Sequence, residues 1–581
     1  MTILKLGLLC GFDEIFYDET PLSPEAYLTG INRDSLLKLA SFLLGIHPTQ
    51  SKFNDWKELL NMWFRVENAD FANKIWKRCD DFEKKEKTHI ALISPIASLK
   101  LFEFAFSVID VGETQSDIAS EVSLFKAYSI FINESTRNET ASNKYLEGLD
   151  VELRPALTLL NQTYPVSEFV NYNLGDIFTT QLVKSYLLLT FLESNIRCQY
   201  LMDGFYQYFK IKHWREYFAF IIPIISAYSK HPSEGWTQLN VEKNENFEKN
   251  CCFLDSLSLK EFDSELNADF KLLRGNPLFK REEGLYAIIS PLFVTEKIFK
   301  GLYFKLKEIN DLLSSKEEFI KDLRSFYTLN FSENYLLYSI LNYIYSERNY
   351  LQFSGEELLN EKIDGAPDFY IRNGKYMFLF ESKDIFINAD IKQSGNFQLI
   401  EAEFKKKLFF DSKKDKIVPK AVLQIISNIR KALRLENKFD FNYKPSNIII
   451  YPILIVHDSS FNSMGLNYLI NYWFTSELSK LATEGINVSK VKKICIINID
   501  TLILYSDLFK MKKIILNECI DAYIKYGQFN ANKKYNDFEH FKVSYAETLI
   551  PFSSFIDKYT DTGFNKFEKK FRNYVLSSIV S

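Results

Sequence analysis

A chain of 581 residues carrying a net charge of −4 has core enough for about two to four domains and no basic coat for blanket nucleic-acid binding. Aromatic residues make up 16% of it, which argues strongly against disorder. Seven Cys without a CxxC pair and six scattered His argue against a zinc site and fit a reducing cytoplasm.

The opening Met1–Cys10 is apolar, but Lys5 interrupts it and a basic leader is missing. The longest apolar runs, such as Tyr217–Tyr228, are too short to span a bilayer, so a cytoplasmic chain with no membrane part is expected. Residues 1–230 read as a helical domain. Ser23-Pro24, Ser94-Pro95 and Ser290-Pro291 each place a capping Ser before a Pro suited to the first helical position. Asp34–Leu44 repeats apolar residues at helical spacing and Gly45 stops it. Ser229–Asn250, polar and holding Pro232 and Gly235, is the linker candidate. Residues 251–325 read as a connecting helical region, with Ile298, Leu302, Leu306 and Ile309 on one face. Nothing in this half identifies a ligand; recruitment of a substrate, a partner protein or a trigger is its expected role.

Phe331-Ser332-Glu333 opens a further helix-like run through Tyr335, Leu336, Leu337, Ile340, Leu341 and Ile344. Then two β-rich runs flank Asn373-Gly374, a strong hairpin signal because both residues tolerate the positive φ of a type I′ turn. With those two at the centre, Arg372 faces Lys375 and Asp368 faces Leu379. Period-two alternation then puts Asp368, Tyr370, Met377, Leu379, Glu381 and Lys383 on one face. Phe369, Ile371, Tyr376, Phe378 and Phe380 fall on the other, apolar face. Asp368 and Glu381, diagonal neighbours roughly 5–8 Å apart between Cβ atoms, repel unless a cation lies between them. Hard oxygen donors favour Mg²⁺ or Mn²⁺. Lys383 would aim at a metal-bound water or a scissile phosphate, parts suited to hydrolysis of a phosphodiester.

Pro367-Asp368, twelve residues, then Glu381-Ser382-Lys383 resembles the core motif of the PD-(D/E)XK nuclease superfamily. The resemblance covers roughly residues 325–510 and implies a restriction-endonuclease-like fold. It also implies a divalent-metal-dependent nuclease with DNA as the expected substrate, similar to standalone bacterial restriction or defence effectors. Asp368 and Glu381 then fall on the metal positions and Lys383 on the lysine. Glu333 matches the extra acidic residue many members place before the first strand. Gln424, in Lys420–Ile426, matches the glutamine some branches aim at the site to position the lysine or the phosphate. Those branches carry Tyr four residues on; this chain has Asn428. A catalytically inactive scaffold or nucleic-acid-binding protein that keeps the fold is the alternative.

Beyond the hairpin, 397–410 and 418–435 are amphipathic. Lys405, Lys406, Lys407, Lys420 and Arg430 lie in a locally basic stretch read as a phosphate-tracking surface. Ile448–Val456 is a β-branched run of a strand buried on both faces, where Pro452 predicts a bulge or an interruption. A helix near 464–483 and a strand over Val491–Ile499 follow. His457-Asp458 reads as a strand end and turn whose two side chains point to opposite faces. The expected whole is α+β: a largely helical N-terminal half, an α/β core with a mixed sheet over 326–510, and a helical extension over 511–581. No P-loop, GxSxG or HExxH occurs.

Overall fold

The β-branched and aromatic runs between Leu351 and Asn498 assemble into one five-stranded mixed sheet. Its strands are β1 (Leu351–Ser354), β2 (Phe369–Asn373), β3 (Tyr376–Lys383), β4 (Ile449–Val456) and β5 (Cys495–Asn498). They lie side by side as β5-β4-β3-β2-β1. The first three pair antiparallel, and β3, β4 and β5 run parallel. This is a computed structural model, which describes residues 7–560 apart from 47–50, 108–114, 137–143, 171, 230–236, 261–269, 314–318, 347, 414–415 and 530–533. Residues 561–581, the end of the expected C-terminal extension, lie outside the described residues.

Helices cover both faces of the sheet, as parallel strands require. In chain order the main ones are α1 (Lys300–Leu312), α2 (Tyr338–Tyr345), α3 (Phe397–Phe404), α4 (Ala421–Leu433), α5 (Leu466–Thr483) and α6 (Ile499–Lys510). Phe369, Ile371, Phe378, Phe380 and Ile453 share one buried cluster with Ile340 and Leu341 of α2 and Leu502 of α6. Tyr370, Met377, Leu379, Leu454 and Val456 share another with Phe404 of α3, Ile425 and Ile429 of α4 and Phe474 of α5. Each such side chain contributes about 1.5–3 kcal/mol by leaving water. The face expected to carry charge is thus apolar too, until its last positions at Glu381 and Lys383.

Pro452 causes no bulge: its register with Leu379 is continuous. The amide and carbonyl of Ile450 bond on the β5 side, to Lys490 and Lys492. By period two, the side Pro452 leaves without a donor is the same one. The β4–β5 ladder starts only at Ile453, so the missing N–H falls where no strand is waiting for it.

The N-terminal half is chiefly helical. Ser23 Oγ accepts from the Ala26 amide at 3.3 Å and Ser94 Oγ from the Ala97 amide at 3.3 Å, whereas the Ser290 side chain makes no capping bond. Asn32 caps the helix Arg33–Gly45. The connecting region is not simply helical. Gln238–Asn240, Leu285–Ile288, Leu278–Glu282 and Ser258–Leu259 form a four-stranded sheet in that order. Gly284, at φ +80°, makes the turn between two of its strands. The linker candidate therefore supplies a strand, and its residues 230–236 lie outside the described residues. One buried apolar cluster runs from Leu182 to Ile556, across the boundaries expected at 230, 325 and 510. No described helix is long and apolar enough to cross a membrane.

A buried ionic network joins these parts. The carboxylate of Glu168 accepts from Arg274 (2.8 Å), Lys300 (3.0 Å) and Lys392 (2.5 Å). Glu296 also pairs with Arg274 and Lys300, and Asp458, just past β4, lies 3.7 Å from Lys300. Three acids face three bases, so the interior stays neutral, which is what makes such burial tolerable.

Candidate active site

The hairpin folds one residue away from its expected turn. Asn373 pairs with Tyr376, leaving Gly374-Lys375 at the centre. Gly374 takes φ +57°, while neither Asn373 nor Lys375 has positive φ, the signature of a type II′ turn, which asks for Gly first. Moving the turn by one residue slides the register by two. Arg372 therefore faces Met377, not Lys375, and Tyr370 faces Leu379. A two-residue slide preserves which face each side chain occupies, so Asp368, Glu381 and Lys383 stay together. One step beyond the Phe369–Phe380 pair, Asp368 stands directly across from Glu381 instead of on the diagonal. Direct partners are closer, about 4.5–5.5 Å between Cβ atoms.

Asp368 is oriented by the backbone of the facing strand: its Oδ2 accepts the Ser382 amide at 2.6 Å. Glu381 is 1% exposed, and its Oε1 accepts from Lys383 Nζ at 2.5 Å. Glu333 reaches the same spot from Tyr327–Leu337, an 11-residue π-helical segment in the run read as a plain helix. Such wide turns are rare and cluster at functional sites.

Three carboxyls thus surround one ammonium. Burial first, then the charge of Asp368, pushes Glu381 up to about 8 against the pull of Lys383. Burial and then Asp368 likewise push Glu333 up to about 8. Asp368 is raised by burial, with Lys383 and the Ser382 amide opposing. Burial works against the lysine's charge, but Glu381 and Asp368 outweigh it, so Lys383 stays protonated above its ordinary range. Near neutral pH Glu333 and Glu381 therefore largely keep their protons, and all three carboxyls ionise together only as the pH rises past about 8 or when a cation joins them.

The donor chemistry fits a hard divalent ion. Asp368 and Glu381 are the pair that would hold it, since Mg²⁺ commonly takes one or two protein carboxylates and fills its shell with water and substrate oxygens. Among the described residues no group of three or more His, Cys, Asp or Glu side chains has metal-holding spacing.

The other expected residues gather less tightly. Gln424 sits half-buried on α4, which packs on β3. Lys405 pairs with Glu401 (2.8 Å), Lys407 with Glu403 (3.8 Å) and Arg430 with Glu484 (2.8 Å), so much of the expected phosphate-tracking charge is spent locally. Lys406 is exposed, and Lys420 sits at the opposite end of α4 from Arg430, about 15 Å along the helix.

Sequence reasoning overlooked the frame behind the site. Asp384 Oδ1 and its carbonyl each accept from Arg324 at 2.7 Å, and its Oδ2 accepts from Ser332 Oγ at 2.6 Å. This ties the residue after Lys383 to the residue before Glu333. His457 and Asp458 diverge as alternation requires. His457 Nε2 meets Ser382 Oγ at 2.9 Å, and Asp458 caps a short turn through the Ser460 amide. Burial pulls His457 down to about 4, so it stands neutral. The Lys383-Asp384 dipeptide was a visible signal for this frame; Arg324, distant in sequence, offered none. Compared with family models, with curated proteins and with solved structures, the chain matches none.

Proposed function

We propose that this chain is a divalent-metal-dependent nuclease with DNA as its substrate, built on a restriction-endonuclease-like core around the five-stranded sheet. The observation that carries the reading is the meeting of Asp368, Glu381 and Lys383 of one hairpin with Glu333 of the preceding π-helical segment, at one end of β2 and β3. The strand order and directions of the sheet support it as well. Asp368 and Glu381 would hold Mg²⁺ or Mn²⁺, with Glu333 supporting the shell. The metal would supply positive charge to the scissile phosphate and lower the pKa of a bound water. Lys383, kept protonated, orients that water or neutralises charge building on the phosphate. Gln424 would position the lysine or the phosphate, and the exposed basic residues near α3 and α4 would follow the backbone. A bacterial restriction or defence role, triggered through the N-terminal half, is the biological setting proposed.

The test is direct. The full chain with Mg²⁺ or Mn²⁺ should cut DNA and EDTA should stop it. Asp368→Ala or Lys383→Ala should abolish cutting in protein that circular dichroism shows to be folded. Persistent cutting in both variants would overturn the assignment. One observation favours a second reading, a nuclease-fold scaffold without turnover. Lys383 is already bonded to Glu381, at 2.5 Å, the carboxylate that would otherwise face the metal. Failure of Mn²⁺ to bind wild-type protein at any pH up to 9 would select that reading.

A further inference from the structure

Beside the carboxylate site the protein surface carries a second feature that the hydrolytic parts do not use. Phe304 on α1 is 52% exposed, and Phe386, three residues past Lys383, is 37% exposed. Their rings stack with centroids 5.9 Å apart and planes 28° from parallel. The Arg324 guanidinium lies 4.1 Å from the Phe386 centroid, and Tyr303 backs the group with its ring 6.0 Å from Phe386. The two rings form a small apolar patch at the surface in which Phe304 is the more open of the pair.

We propose that this stack is a base-binding platform that makes single-stranded nucleic acid the preferred substrate. The inference rests on the nuclease reading and adds the substrate class. In a duplex both faces of each base are already covered; only an unpaired base offers a face to a protein ring. The platform is aimed by the same frame as the site. Arg324 is locked by Asp384, and Asp384 also holds Ser332, next to Glu333. The chain between Lys383 and Phe386 spans at most about 10–11 Å, so a base on the platform keeps its own strand's phosphates near the lysine. Arg324 lies against the Phe386 ring at 4.1 Å with its charge met by Asp384, so it fixes the ring in place. Lys307, in the open cleft beside Phe304, is paired with Asp311 at 3.0 Å and has Glu308 alongside, so recognition here falls to the rings and not to charge.

The experiment measures fluorescence anisotropy of labelled oligonucleotides, single-stranded and duplex, on the full-length Asp368→Asn protein without metal. A stacked base contributes enough that Phe386→Ala, and independently Phe304→Ala, should weaken single-strand binding roughly tenfold or more. Duplex binding should change little, and Phe386→Trp, which keeps a ring face, should restore affinity. Equal loss on both substrates, or no loss in either alanine variant at an unchanged melting temperature, overturns the platform. A parent protein that cuts with Mn²⁺ while both alanine variants keep its strand preference sinks the platform alone. Selective loss of single-strand binding, with a parent that never cuts, upholds the platform and sinks the nuclease reading.

Discussion

Replacing Glu381 by glutamine isolates the strain at the carboxylate cluster, because the amide keeps the shape and can still accept from Lys383 while removing one negative charge. The folded pKa of Glu381 stands near 8 against an ordinary 4.5. Its contribution to stability is therefore fully present below about pH 4.5 and is lost as pH rises towards 8. One unit of pKa shift corresponds to about 1.4 kcal/mol. Lys383 shares the charge, so the effect is on the order of a few kcal/mol at pH 8–9. In EDTA the Glu381→Gln protein should match the parent near pH 5 and melt several degrees higher at pH 8–9. Mn²⁺ should reverse the order. A ligand at about a hundred times its Kd adds roughly 2.7 kcal/mol to the parent, and the variant should gain little. Thermal melts at four pH values, with and without Mn²⁺, measure both limbs. A Glu381→Gln protein that is less stable than the parent at pH 9 in EDTA would refute the reasoning, since Glu381 would then be a satisfied ion-pair partner of Lys383.

Lys383→Met should lower single-turnover cleavage at saturating Mn²⁺ about a hundredfold or more, the scale of losing one donor to developing charge. Mn²⁺ affinity should rise with pH between 7 and 9 and release protons, measurable by calorimetry in buffers of different ionisation heat, because Glu333 and Glu381 must ionise. His457 is held near 4, below its ordinary 6.5, so its contribution is complete above about pH 6.5 and is lost as pH falls towards 4. His457→Gln should flatten that acid limb in urea denaturation. Gly465 holds φ +80°, and a Cβ there would lie 2.5 Å from the Ala156 carbonyl oxygen. Gly465→Ala should therefore cost roughly 1–3 kcal/mol in the same assay.

What could be read in the chain followed periodicity. Alternation over Phe369–Lys383 assigned every side chain of the hairpin to its correct face, and a turn misplaced by one residue did no harm because the register slid by an even number. The turn itself was missed because Asn373-Gly374 advertises a type I′ centre, while the Phe369–Phe380 and Ile371–Phe378 pairs favour the neighbouring II′ arrangement. The sheet between Gln238 and Ile288 escaped notice for a different reason. Its strands are two to five residues long, and Leu278–Glu282 ends in Lys-Arg-Glu, too brief and too charged for a period to register. Pro452 looked like a fault in a strand because nothing local reveals that its missing donor faces a gap. Glu333 was found by resemblance; its aim depends on a π-helical stretch that no spacing rule announces. Arg324 and Asp384 meet only in three dimensions.

The ionic network around Glu168 bears on how the molecule can be divided. A fragment cut to residues 326–510 would keep Lys392 and Asp458 but lose Glu168, Arg274, Glu296 and Lys300, exchanging a balanced set for a lone cation and a lone anion at a newly opened surface. It would also strip Leu182–Leu323 from the cluster that covers one side of the sheet. Residues from Leu182 to Leu323 thus pack against the strands they precede, and anyone seeking a minimal version of this protein should expect insoluble product from such a truncation.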